Sequence, residues 1–203
     1  MTDPTDEDLV RRFGGGDGRA FDDLLRRYER KVYAVAYRMC SDPDDARDVT
    51  QEVFLSAYTA LKTYRFEAQL GTWFHRVAVN ASLDRLRRRK RRAESPLELV
   101  GDAADSGPAP EEKAEQAERS VVVQRALAAL SPDHRAVLVL HDLQDLDYAA
   151  VAEALNVPLG TVKSRIHRAR AELAVLLGHL RPAHGDQEGP EEQNQDPESL
   201  RER

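Results

Sequence analysis

From Gly160 to Arg170 the chain spells out a helix with both faces already assigned. At about 100° per residue, Val162, Ile166, Ala169 and Leu173 fall on one narrow apolar stripe. Thr161, Ser164, His167 and Arg168 project from the opposite side, with Lys163 and Arg170 on one shoulder and Arg165 on the other. Just upstream, Tyr148 to Leu155 reads as a shorter helix and Asn156 to Leu159 as a turn carrying Pro158. A short helix, a tight turn and a second, basic helix make up the helix-turn-helix, whose second helix enters the DNA major groove. Most basic amphipathic helices are solvated surface helices. The Pro-bearing turn and the apolar register on both sides of it favour DNA contact over that bland reading.

A net charge of −6 looks wrong for such a partner, but the charge is unevenly spread. Residues 85–92 hold seven basic groups in eight positions, whereas residues 94–119 carry eight acids against two bases. Residues 186–203 carry seven acids against two. The total therefore sums basic helices and acidic connectors and says little about partners. The single Cys40 excludes an internal disulfide and agrees with a reducing cytoplasm. It cannot build a zinc cluster with six scattered histidines, and no cofactor is expected. No run approaches the ~18 apolar residues of a membrane span, so direct membrane insertion is not expected.

The 203 residues suit one or two modest domains. Pro96, Gly101, Gly107, Pro108 and Pro110 lie in a stretch rich in Ala, Asp and Glu that cannot bury a core. Without strand-type alternation anywhere, the expectation is an all-α chain of two small helical domains. A helical module over residues 5–93 is followed by a flexible acidic linker over 94–114. A second module over 115–180 holds the helix-turn-helix, and 181–203 is expected to be a disordered acidic tail.

Four helices can be placed in the first module: Thr5 to Phe13, Arg19 to Cys40, Asp44 to Tyr64, and Thr72 (as N-cap) to about Arg89. The third buries Ala46, Val49, Val53, Ala57 and Leu61. Its other side sets Asp48, Gln51, Glu52 and Thr59 around a lone Leu55, which suits a docking face for another protein. A single exposed leucine is also common on ordinary surfaces. On the fourth helix, Trp73, Arg76, Asn80, Asp84 and Arg87 share one face. That mixture of an aromatic, an amide and cations suits single-stranded nucleic acid. A tryptophan more often fills a core, and the Arg85–Arg92 run could equally be a solvated helix end or a phosphate contact.

These residues resemble a family. The stretch Asp45 to Phe54 looks like the polymerase-docking helix of the extracytoplasmic-function sigma factors of bacterial RNA polymerase. Gly71 to Asn80, followed by Asp84 to Arg88, resembles their promoter-melting helix. Leu130 to Arg135 and Gly160 to Arg165 resemble the start and the recognition helix of their second domain. The likeness spans roughly residues 7–180 in the family's order, and the wording of both domains is similar to an actinobacterial SigM-like subgroup.

The resemblance implies roles. Asp48, Gln51, Glu52 and Leu55 would bind the clamp helices of core RNA polymerase. The Arg65-to-Gly71 loop and Asn80 would capture a flipped base of the minus-ten element, with Arg76, Arg87 and Arg88 on the melted strand. Thr161, Lys163, Ser164, Arg165, His167 and Arg168 would read the minus-thirty-five element as duplex. An anti-sigma factor is an expected further partner, and the chain would not itself be an enzyme. Two departures stand out. Ala150 replaces a glutamate usual in the family, which removes any contact made through it, and His167 occupies a variable base-reading position. A stand-alone helix-turn-helix regulator would share the recognition helix but needs neither the Leu55 face nor the Trp73–Arg92 stripe. A nucleic-acid enzyme would need clustered carboxylates or an activated nucleophile, which the motifs do not supply.

Overall fold

The computed structural model describes residues 3–66, 68–93 and 111–180, and among them there are eight α-helices and no strand. The first four are α1 (Asp6–Gly14), α2 (Gly18–Cys40), α3 (Pro43–Ala60) and α4 (Leu70–Ala93). Local chemistry sets their ends. Thr5 and Asp8 form a reciprocal capping box on α1, and Asp17 caps α2. Asp42 accepts from the amides of Asp44 and Asp45, with Pro43 pre-set at the first position of α3. Ser41, in the left-handed region at φ 58°, closes α2.

α2 is the spine of this group, packed on α3 and α4. Leu24, Val32, Val35 and Met39 of α2, Val49 and Val53 of α3, and Phe74 and Ala78 of α4 are all fully buried. Each buried aliphatic or aromatic side chain contributes ~1.5–3 kcal/mol, which is what holds three helices in register. The predicted buried stripe of α3 is the one observed, from Ala46 through Leu61.

The second group comprises α5 (Glu111–Ala129), α6 (Pro132–Asp142), α7 (Tyr148–Leu155) and α8 (Leu159–Leu180). Ser131 caps α6, Asp147 caps α7, and Asn156 takes the left-handed conformation at φ 51° to turn the chain into α8. Val162, Ile166 and Ala169 are buried, and Leu173 is partly so, as the stripe predicts.

Several expectations need correcting. Thr72 is not a cap: α4 begins at Leu70, and the Trp73 amide already bonds back to the Gln69 carbonyl at 3.1 Å. α3 stops at Ala60, and a 3-10 turn over Leu61–Thr63 carries the chain on to Tyr64. α5 starts at Glu111, inside the expected linker. Residues 94–110 of the expected linker over 94–114, and the tail over 181–203, lie outside the described residues. The two modules touch: α2 meets α5 and α6, and α4 meets α6 and α7.

Candidate functional site

Leu55 is 67% exposed, with Gln51 and Glu52 exposed one turn before it. It edges an apolar groove of about 700 Å³ between α2 and α3, lined by Phe21, Leu25, Tyr33, Gln51, Phe54 and Tyr58 among others. The two acids of this face are already engaged. Asp48 pairs with Arg85 of α4 at 2.8 Å, and Glu52 with Arg88 at 3.4 Å. The Glu52–Arg88 pair is about half exposed, worth ~0–1 kcal/mol, so a partner can displace it at little cost. Arg85 also holds Asp45 at 2.7 Å, and Arg89 reaches the same carboxylate at 3.2 Å. The first turns of the basic run are thereby laid against α3.

In the first turn of α4, Trp73 is half-buried, edge-on to Tyr64 at 5.9 Å and to Phe74 at 5.1 Å. It is neither a core residue nor a free platform. With Tyr64, Arg65, Ala68 and Arg76 it lines a pocket of about 260 Å³ at the loop before α4, and Glu153 of α7 lines it from the second module. The Arg76 guanidinium donates to Glu153 Oε1 at 2.6 Å, and the Asn80 amide donates to the Ala154 carbonyl at 3.0 Å. Arg87 pairs along its own helix with Asp84 at 3.1 Å.

The recognition helix is held from behind. Arg165 pairs with Asp133 of α6 at 2.9 Å, and Arg170 grips Asp142 through two nitrogens, at 2.6 and 3.1 Å. Arg165 is thus partly buried and tied down, unlike its neighbours. The Ser164 hydroxyl donates to the Thr161 carbonyl at 2.9 Å. Lys163, His167 and Arg168 are exposed, and their side chains make no hydrogen bond or ion pair with other described residues.

Gln124 and Glu153, at the junction of the modules, escaped the sequence reading, as did the contact that Arg135 of the Leu130–Arg135 motif makes there. Gln124 and Arg135 are buried, and Glu153 is exposed. A faint signal existed for Arg135, which stands directly before the apolar run Ala136 to Leu140. Nothing in the spacing pointed to Glu153 or Gln124.

The sigma-70 region 2 family model matches residues 24–92, and the sigma-70 region 4 model matches residues 120–173. The chain is 42% identical over 176 residues to the extracytoplasmic-function sigma factor SigM of Mycobacterium tuberculosis, covering 87% of this chain and 86% of that one. It is 32% identical to SigW of Bacillus subtilis, over 84% of this chain and 96% of the relative. It is 36% identical to the sigma-E factor of Escherichia coli, over 82% and 91%. Among solved structures, CnrH in complex with the cytosolic domain of CnrY superposes with a TM-score of 0.58 at 25% identity, covering 84% of this chain and 96% of that chain. The sigma factor RpoE of Bartonella quintana, solved with the anti-sigma factor NepR, shares the fold at a TM-score of 0.60 and 24% identity, covering 79% and 98%. A stand-alone regulator would match through the helix-turn-helix alone, and that alternative is set aside by the match over both regions. The chain belongs to the extracytoplasmic-function sigma factors of RNA polymerase.

Proposed function

We propose a residue-level account of how this sigma factor directs promoter-specific initiation. Core polymerase docks on the α3 face at Gln51 and Leu55, its clamp filling the apolar groove beside them while Asp48 and Glu52 supply a charged rim. The pocket before α4 takes an unstacked base of the minus-ten element, with Trp73 at its side. Arg76, Asn80, Arg87 and Arg88 hold the melted strand. Lys163, His167 and Arg168 reach the duplex of the minus-thirty-five element, while Thr161, Ser164 and Arg165 fix the helix on it. The working division is residues 5–93 for the first set of tasks and 115–180 for the second. The acidic stretch 94–114 lies between them, and the tail 181–203 follows.

The observation that supports this reading is the coexistence, in the first module, of an apolar groove beside an exposed leucine and of a separate pocket lined by Tyr64, Trp73 and Arg76. Leu55 adds exposed apolar surface that a solitary module would gain by losing. The polymerase forms the bonds, the site of action is the cytoplasm, and an anti-sigma factor is the expected inhibitor of the docking face. No described helix is long and apolar enough to cross a membrane. Run-off transcription with core polymerase and genomic fragments tests the account. Wild-type protein is expected to support initiation, Leu55→Asp to fail at polymerase binding, and Asn80→Ala to bind polymerase but open promoters poorly. Normal initiation by both variants would refute these assignments.

A further inference from the structure

We propose that Arg11 and Phe66 are positioning residues for base capture: α1, through the Phe66 ring, fixes the loop that walls the pocket before α4. The proposal rests on the reading of that pocket as the seat of an unstacked minus-ten base. Phe66 takes the left-handed backbone region at φ 58°. Among the described residues, the other non-glycines with positive φ are Ser41, Asp145 and Asn156, all short and polar. A phenylalanine has no polar group to bond its own backbone there, so the conformation persists only where the surroundings hold it.

Two contacts hold the ring. The Arg11 guanidinium of α1 lies over it, 5.8 Å from the centroid, and Arg11 is itself steadied by Glu7 one turn earlier, at 3.1 Å. Tyr64 meets it edge-on, with centroids 5.3 Å apart. The Tyr64 hydroxyl donates across the loop to the Ala68 carbonyl at 2.9 Å, and the Tyr64 ring reaches Trp73 at 5.9 Å. Tyr64, Arg65, Ala68 and Trp73 line the pocket, whereas Phe66 is not part of its wall. The loop thus presents residues on either side of Phe66 to the pocket and ties Phe66 itself back to α1. Such anchoring leaves less of the loop to be ordered when a base enters, so more of the contact free energy offsets the unstacking. The buried side of α1, formed by Leu9, Val10 and Phe13, packs into the core. Arg11 stands on its exposed side and can be changed without touching that core.

The test uses the full chain with core polymerase and a promoter fragment recovered by run-off transcription. Arg11→Ala is expected to bind polymerase as the wild type does yet open the promoter about fivefold less. It should also discriminate about fivefold less against fragments changed singly across the minus-ten element. Arg11→Lys, which keeps a cation over the ring, should recover most of both. Phe66→Gly allows the same φ while removing the ring, and should match Arg11→Ala. The double variant should be no worse than either single one, because both break the same contact. Amide exchange over residues 64–69 of the free chain should quicken in Arg11→Ala while helix content is unchanged. Opening and selectivity at wild-type levels in Arg11→Ala overturn the proposal, as does full activity of Phe66→Gly. Trp73→Ala distinguishes the two readings. If it leaves opening and selectivity unchanged, the base pocket itself fails and the anchor with it. If Trp73→Ala impairs both and Arg11→Ala neither, the pocket stands and only the anchor falls.

Discussion

Leu55 and His75 show how far single residues report their roles. The exposure of Leu55 was legible, because the helix's apolar stripe is already complete without a leucine on its other side. Leu55→Asp places a charge against an apolar partner surface and should cost ~2 kcal/mol or more in core-polymerase affinity. Helix content should be untouched, and a quantitative pull-down would contradict the assignment if capture stayed at the wild-type level. His75 was not legible. Its two ring nitrogens are buried without a hydrogen-bond partner among the described residues. Burial, and then the nearby Lys31, push it below the ordinary imidazole value of 6.5. The unfolded chain therefore takes up a proton near pH 6.5 that the folded chain refuses until lower pH, so stability is lost as pH falls below that value. Melting temperatures measured from about pH 8 down to about pH 5 should drop for the wild type and drop less for His75→Phe. Equal slopes would show that His75 is not the group responsible. Arg135, which donates to three carbonyls, is the clearest residue whose partners could not be read, since one of them, that of Met39, lies in the other module.

Among the elements, α8 was the most legible, because its apolar positions repeat at helical spacing and its partner helix and turn stand directly before it. What spacing could not show was which cations are spent inside the protein. Arg165 and Arg170 are anchored on α6 or at its end, whereas Lys163, His167 and Arg168 stay exposed. Arg168→Ala should cost ~1–3 kcal/mol on the preferred promoter and relax selectivity at one base pair. Lys163→Ala should weaken all duplexes alike and lower the salt slope by ~1. Titrations of both variants, bound to polymerase, against promoter and scrambled duplexes at several salt concentrations distinguish the two. Uniform loss by Arg168→Ala would remove it from base reading. α4 was legible in its middle but not at its start. The cap was assigned to Thr72 on residue type, whereas the chain enters the helix at Leu70 through the Gln69 carbonyl. The same helix hid its ion pairs: Arg85, Arg88 and Arg89 look like a free basic end in sequence, yet they lie along the acids of α3, about forty residues earlier in the chain.

For the molecule as a whole, the all-α class and the order of the two modules followed from helical periodicity and from the acidic, Pro- and Gly-bearing stretch between them. The docking of one module on the other did not. It depends on side-chain amides and a carboxylate that meet backbone or charge partners more than seventy residues away, and no local pattern encodes such meetings. That docking changes what the free protein should do. With Arg76 and Asn80 occupied by α7, binding of the isolated chain to promoter DNA should be weak and unselective. Core polymerase should convert it to tight, promoter-specific binding with strand opening. Permanganate footprinting of a promoter fragment, with the full-length protein and with and without core polymerase, tests this most directly. Thymines near the start site should become reactive only when both proteins are present. Tight, sequence-specific protection by this chain alone, with no polymerase-dependent reactive thymines at the same site, would contradict the account.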